Sequence, residues 1–420
     1  MSNGGGFSLW RSKNFRIFLS VQTLSAVGDS FSFVAIPLLV LQTTGSLVQM
    51  GVVTGLVGVS SIVTGVFAGY IADRVDRRAL LIACDVARCV LYAAIPLVWL
   101  VSPQVWLLYA VVPLAGAFAM QFQVTYVTVV PALVPQDQIT RANGHLYSTY
   151  AVASVGGPML AGIVSGLLGP ATALAVDAAT FAVSAAGLLL IRMGPMVREP
   201  ATAGPGGSRR RAALKDFLAG VAFLWRHPVL RSLTILLSLL IFVTFGLTDL
   251  IIYYLKHDLG HPDTTVGYVL AAATLGSLLA AGVVAPARAR LGFGACWIGA
   301  WALCGVAIAL FGLATTAPAV GVLATVQLFC TGVAGICSMS FRQEVTPAHL
   351  LGRVTSAFWT LHNSLGPLGA AVLTGAAARY GVMAACVVGG TACVLIALAA
   401  VATPIRQRGS ERLTGAGGLA

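Results

Sequence analysis

Four carboxylates lie inside long apolar runs: Asp29, Asp85, Asp177 and Asp249. A charged Asp at the centre of a membrane-spanning helix costs about 2.5–3.5 kcal/mol on insertion scales, so each needs a partner, water or a proton. Asp29 follows Arg16 by 13 residues, about 20 Å along a helix at 1.5 Å per residue. That places it near or just past the midplane of a bilayer, where a carboxyl group suits proton exchange or a cationic ligand. Asp249 falls within about a turn of the matching position in the second half of the chain, and shares that reading. The structural alternative is that Asp29 bonds to Gln22, Ser25 or Ser32. Asp85 and Arg88, three residues apart, share one face of a helix. An embedded pair close to the cytoplasmic end of its span reads as a gate or scaffold. Asp177, a few residues into its run, is expected to cap a helix or tie extracellular ends.

Other chemistries find no support in residue spacing. The six histidines are scattered, and only His362 lies well inside a long apolar run. The eight cysteines all sit inside apolar runs without a C-x-x-C, so they read as small packing residues, with no metal site and no disulfide framework. A phosphate-cradling G-x-x-x-x-G-K-[ST] loop is absent, as is a nucleophile–base set, so neither an enzyme nor direct use of ATP is expected. No cofactor is expected.

The elements that must position these carboxylates are membrane helices. The chain has 420 residues, 58% hydrophobic and 9% charged, where soluble domains carry about 25% charged residues. The apolar residues come in blocks of the ~20 needed to cross a ~30 Å core. Twelve spans are expected: 17–41, 48–70, 79–101, 105–130, 144–168, 171–191, 231–254, 265–287, 295–314, 318–339, 354–377 and 381–403. The N-terminal run is far longer than the apolar core of a cleavable leader, so none is expected. With the N-terminus inside, 22 of the 25 basic residues fall in cytoplasmic segments. This asymmetry orients both termini to the cytoplasm. The net charge of +12 thereby faces anionic lipid head groups, and nucleic acid is not needed as a partner.

Between the spans, Gly69-Tyr-Ile-Ala-Asp73-Arg74-Val-Asp76-Arg77-Arg78 packs five charges into six residues. Such a cluster must be a tight loop at the membrane surface. Gly69 lets helix ends approach, and Asp73 is placed to bond backbone N–H groups at a neighbouring helix start. The one long loop, 192–230, ends in an apolar stripe of Leu214, Phe217, Leu218, Val221, Leu224 and Trp225 at helical spacing. An amphipathic helix lying on the cytoplasmic leaflet is expected there. It separates a six-helix half at 1–191 from another at 231–420. The halves repeat: Gly157-Pro158 and Gly366-Pro367 are 209 residues apart. The 8–9 loop, Pro286 to Gly292, keeps arginines but has no counterpart of Asp73, so the loop contact is expected to be asymmetric.

The loop G-x-I-A-D-R-x-D-R-R resembles the signature between helices 2 and 3 of the major facilitator superfamily of transporters. Gly157-Pro158-x-x-Ala161-Gly162 resembles the helix-5 motif of drug/proton antiporters in that superfamily, with alanine where glycine is usual at Ala153 and Ala161. Phe15-Arg16, Gly28-Asp29, Asp85-x-x-Arg88, Asp177-Ala-x-x-Phe181 and Gly352-Arg353-Val together resemble the branch containing macrolide-efflux and enterobactin-export proteins. The resemblance implies an all-α fold of twelve transmembrane helices in two pseudo-symmetric halves that alternate access to a central cavity. It implies proton-coupled efflux of an amphipathic drug-like or siderophore-like molecule from the inner or plasma membrane, by a monomer. An importer or uniporter of the same fold stays open, as does a lipid flippase or transport-inactive sensor. Expected cavity residues are Gln22, Asp29, Phe33, Gln121, Tyr126, Tyr147, Phe245, Asp249 and His362. The expected cytoplasmic gate comprises Gly69, Asp73, Arg74, Asp76, Arg77, Arg78, Asp85, Arg88 and Arg353.

Overall fold

The first helix starts where Ser12 accepts a hydrogen bond from the Phe15 N–H at 3.3 Å, and it stops at Gly45 in a left-handed conformation. Between these caps lies α1, Lys13–Thr44. The computed structural model describes residues 9–72, 75–135, 139–191, 209–347 and 350–406. Five more helices follow: α2 (Leu47–Ala72), α3 (Arg77–Trp99), α4 (Val105–Leu133), α5 (Ile139–Leu168) and α6 (Pro170–Leu190). Then come α7 (Arg209–Arg226), α8 (Pro228–Thr244), α9 (Leu247–Tyr253), α10 (Asp263–Leu291), α11 (Phe293–Phe311) and α12 (Ala317–Val345). The chain closes with α13 (Leu351–Asn363), α14 (Gly366–Tyr380) and α15 (Val382–Ala399). No strand occurs among the described residues.

Eleven segments among the described residues are long and apolar enough to cross a bilayer. The twelfth, expected over 354–377, is divided into α13 and α14 at Ser364–Leu365, so neither piece alone has the length. The span expected at 231–254 is likewise divided, between α8 and α9 at Phe245–Gly246, and ends in a π-helical turn at Tyr254–Asp258. The two breaks face each other: the Phe245 ring lies against Gly366, and Gly246 lies against the backbone of Ala370. Twelve membrane crossings therefore remain, two of them discontinuous.

The chain divides into two units, Met1–Glu199 with His261–Ala271, and Pro200–Gly260 with Ala272–Ala420. In the first, α1 packs on α5 and α6, α3 on α4 and α6, and α2 on α4. Residues 263–271 of α10 belong to this unit, and they approach α5 closely. A Cβ on Gly267 would stand 2.6 Å from both the Gly162 Cα and the Pro158 carbonyl, so neither helix tolerates a side chain there. In the second unit, α11 packs on α12 and α15, and α14 packs on α8 and α15.

The amphipathic helix expected on the membrane surface is α7, but its apolar stripe is divided. It packs on α13, with Gly220 against the Arg353 carbonyl and Leu224 fully buried. Leu218 and Trp225 stay about half exposed and are left for lipid.

Candidate functional site

Arg88 organises the first unit. Its guanidinium is buried on α3 and pairs with the Asp29 carboxylate on α1. It also lies over the Phe181 ring of α6, 3.8 Å from the centroid. Phe181 stands one turn after Asp177, and that spacing brings a second carboxylate within electrostatic reach of the same guanidinium. Asp177 is fully buried. The Thr180 hydroxyl donates to its backbone carbonyl at 2.8 Å and, weakly, to its carboxylate at 3.4 Å. The close approach of α1 to α6 is possible because residue 28 is glycine; a Cβ there would stand 2.7 Å from the Asp177 carboxylate. The nearby Ser32 hydroxyl donates to the Asp29 carbonyl at 3.1 Å.

Two expectations are corrected by this geometry. Arg88 pairs with Asp29 across helices, and not with Asp85 along its own helix. The supposed gate pair and the supposed proton site are thus one cluster. Asp177 is not a helix cap: it lies inside α6, within electrostatic reach of Arg88. Asp85 is fully buried close to Ser184, and neither carboxylate oxygen makes a hydrogen bond of normal geometry among the described residues. Asp177 Oδ2 and Arg88 Nε are likewise buried without partners there. Orphaned polar atoms at this density are unusual for a purely structural core. Asp29 is the member that reaches accessible surface, with its side chain 48% exposed. Phe33, one turn further along α1, is also exposed.

The remaining candidates scatter. Gln121 is buried and donates to the Ala68 carbonyl at 3.1 Å and to Thr125 at 3.2 Å, so it ties α4 to α2. Tyr126 stacks on Phe18 and Phe122 at the edge of the packed core and is only partly buried. Gln22 is half-buried on α1, its Nε2 without a partner among the described residues. Phe245 stands at the break between α8 and α9 with its ring against Gly366, and Asp249 is buried one turn beyond it. His362 stacks on Phe358, ring centroids 5.6 Å apart. The side chain of Tyr147, the surroundings of Gly69, and Asp73 and Arg74 lie outside the described residues.

Around the signature loop, Asp76 is the N-cap of α3, accepting from the Ala79 N–H at 2.8 Å. Arg77 begins that helix. Arg78 donates to the Leu188 carbonyl at 2.9 Å and to that of Leu189, neutralising the end of α6. In the second unit, Arg288 pairs with Glu344 at 2.7 Å, and Arg353 is exposed on α13. In the helix-5 motif, Gly157 lies against Ser30 of α1, Ala161 is fully buried, and Pro158 and Gly162 meet Gly267. Pro158 does not break α5, whereas its repeat partner Pro367 opens a new helix.

Sequence reasoning passed over Arg342, which it assigned to the 10–11 loop. Helix α12 continues to Val345, and Arg342 is turned inward, 2% exposed. Met339 to Val345 keep helix-forming residues without Gly or Pro, which was the available signal.

Twelve apolar crossings, two of them discontinuous, around buried charge clusters define a multi-pass membrane transporter. A family model described as Major Facilitator Superfamily matches residues 18–370, and the chain belongs to that superfamily. It is 24% identical over 359 residues to the multidrug efflux pump Tap of Mycolicibacterium fortuitum, covering 84% of this chain and 86% of Tap. It is 26% identical over 374 residues to the enterobactin exporter EntS of Shigella dysenteriae, covering 85% and 82% of the two chains. Among solved structures, the nucleoside transporter NupG superposes with a TM-score of 0.74 at 14% identity, covering 93% of this chain and 98% of NupG. A bacterial homolog of the human lysosomal transporter Spinster gives 0.71 at 14% identity, covering 96% and 97%. Transporters of this family bind small-molecule substrates.

Proposed function

We propose that this transporter expels an amphipathic drug-like or siderophore-like molecule in exchange for protons. The observation that carries the reading is the Arg88 cluster, in which one buried guanidinium serves Asp29 and Asp177 while Asp85 waits beside it unpaired. A proton arriving at Asp29 competes with Arg88 for the carboxylate, and Asp177 takes over the released guanidinium. The ion pair is thereby a two-state element that a proton biases. Each charge moved across the membrane yields about 2.3 kcal/mol per 100 mV, enough to shift such an equilibrium. That Tap is a multidrug efflux pump and EntS an enterobactin exporter supports the outward direction.

In this reading the halves at 1–191 and 231–420 alternate access about the linker at 192–230, and the monomer works in the cell membrane with both termini cytoplasmic. Asp73, Arg74 and Arg353 belong to its cytoplasmic gate. The working test is everted vesicles from an expressing strain, offered chemically diverse antibiotics. Uptake of at least one compound, abolished by an uncoupler, is expected; uptake unaffected by the uncoupler would remove the proton from the mechanism. Orientation has its own test. Single cysteines replacing Ser102 and Ala317 should label from outside, and one replacing Ser208 only after permeabilisation. Labelling at Ser208 in intact cells would reverse the topology.

A further inference from the structure

Arg88 and Arg342 are set in nearly the same way. Each is a buried guanidinium lying 3.8 Å over the centroid of a phenylalanine ring, Phe181 for one and Phe358 for the other. They differ in what completes them. Arg88 has the Asp29 carboxylate; Arg342 has no carboxylate and no hydrogen-bond acceptor among the described residues. The acid nearest on its own helix, Glu344, is taken by Arg288. An arginine placed only to mark the cytoplasmic side would extend its charge into water, yet this one is 2% exposed. A buried cation without a counter-charge is a costly arrangement.

The surroundings indicate what completes it. Trp359 stands with its ring 5.9 Å from the same guanidinium, and His362 stacks on Phe358 and meets the Trp359 edge at 5.5 Å. Trp359 is 46% exposed and carries the group out to accessible surface. Five N–H donors in a flat fork, walled by aromatic rings, match an acidic group attached to a planar apolar body. We propose that Arg342, with Phe358, Trp359 and His362, is the recognition site for the acidic group of the transported compound, which is an aromatic organic anion. This rests on the export reading and narrows its substrate class.

The test needs no gradient. Purified full-length protein in detergent is dialysed to equilibrium against radiolabelled 2-naphthoate, with unlabelled 2-naphthamide, its uncharged isostere, as competitor. The wild type should prefer the acid at least tenfold, the scale of one charge-assisted hydrogen-bonded contact. Arg342→Gln should erase that preference while leaving the amide's affinity within about twofold. Arg342→Lys, which keeps the charge without the fork, should retain part of it. Should Arg342→Gln fail to give a folded protein, the wild-type and Arg342→Lys comparisons still decide. Equal affinity of acid and amide for the wild type, no binding of naphthoate at all, or an undiminished preference in folded Arg342→Gln would each overturn the proposal. The export reading fails separately: a protein that prefers the acid but whose transport ignores an uncoupler keeps this site and loses the proton.

Discussion

Arg88→Leu is expected to remove most folded protein from the membrane. The substitution leaves Asp29 and Asp177 without their cation, and removing one partner of a buried ion pair costs about 3–5 kcal/mol. Most of that loss is assigned to Asp177, which is fully buried. The Asp29 carboxylate is 48% exposed and screened by water, so its share is small. Arg88→Lys keeps the charge but loses the guanidinium's contact over the Phe181 ring, and should fall between. Adding Asp177→Asn to Arg88→Leu should recover a large part of the stability, since the stranded charge is gone. The measurement is the yield of monodisperse protein and its midpoint of thermal unfolding. A wild-type midpoint for Arg88→Leu would mean that the cluster holds no charge needing compensation.

The spans were legible because hydrocarbon admits only helices with satisfied backbones, and composition alone reports where such segments lie. The breaks at Phe245–Gly246 and Ser364–Leu365 were not, since hydropathy runs through them unchanged. The dipeptide Gly-Pro illustrates the limit: it bends nothing open at Gly157-Pro158 and starts a new helix at Gly366-Pro367. Site geometry was legible only along one helix. The three-residue spacing of Asp85 and Arg88 suggested a pair, but a long arginine side chain selects among all neighbouring helices, and α1 won. The residues of the true cluster were already visible as Gly28-Asp29, Asp85-x-x-Arg88 and Asp177-Ala-x-x-Phe181. What was missing was the packing of α1, α3 and α6 that joins them. Gln121 and Tyr126 show the converse, polar and aromatic residues whose facing the sequence left open and whose partners turned out to be core.

Asp29→Asn is expected to abolish pH-driven transport while leaving the protein folded. The amide keeps the size of the side chain and an oxygen that still accepts from Arg88, but it can neither take up nor release a proton. Arg88 is not stranded by the change, because Asp177 and Asp85 remain within its electrostatic reach. Stability should therefore stay near wild type, in contrast to Arg88→Leu. A group protonated from the outer side and deprotonated toward the cytoplasm is what proton-driven export requires. Fixing it in the neutral form removes the driving step and leaves substrate exchange down its own gradient. Asp249→Asn, in the second unit, should have a smaller effect if Asp29 carries the proton alone. Proteoliposomes with an imposed pH gradient separate these outcomes: gradient-driven flux of Asp29→Asn should fall to the level of empty liposomes while counterflow of preloaded substrate persists. Full pH-driven flux in Asp29→Asn would move the coupling site to Asp177 or Asp85 in the same cluster, or to Asp249. Loss of counterflow together with driven flux would make Asp29 a substrate contact instead.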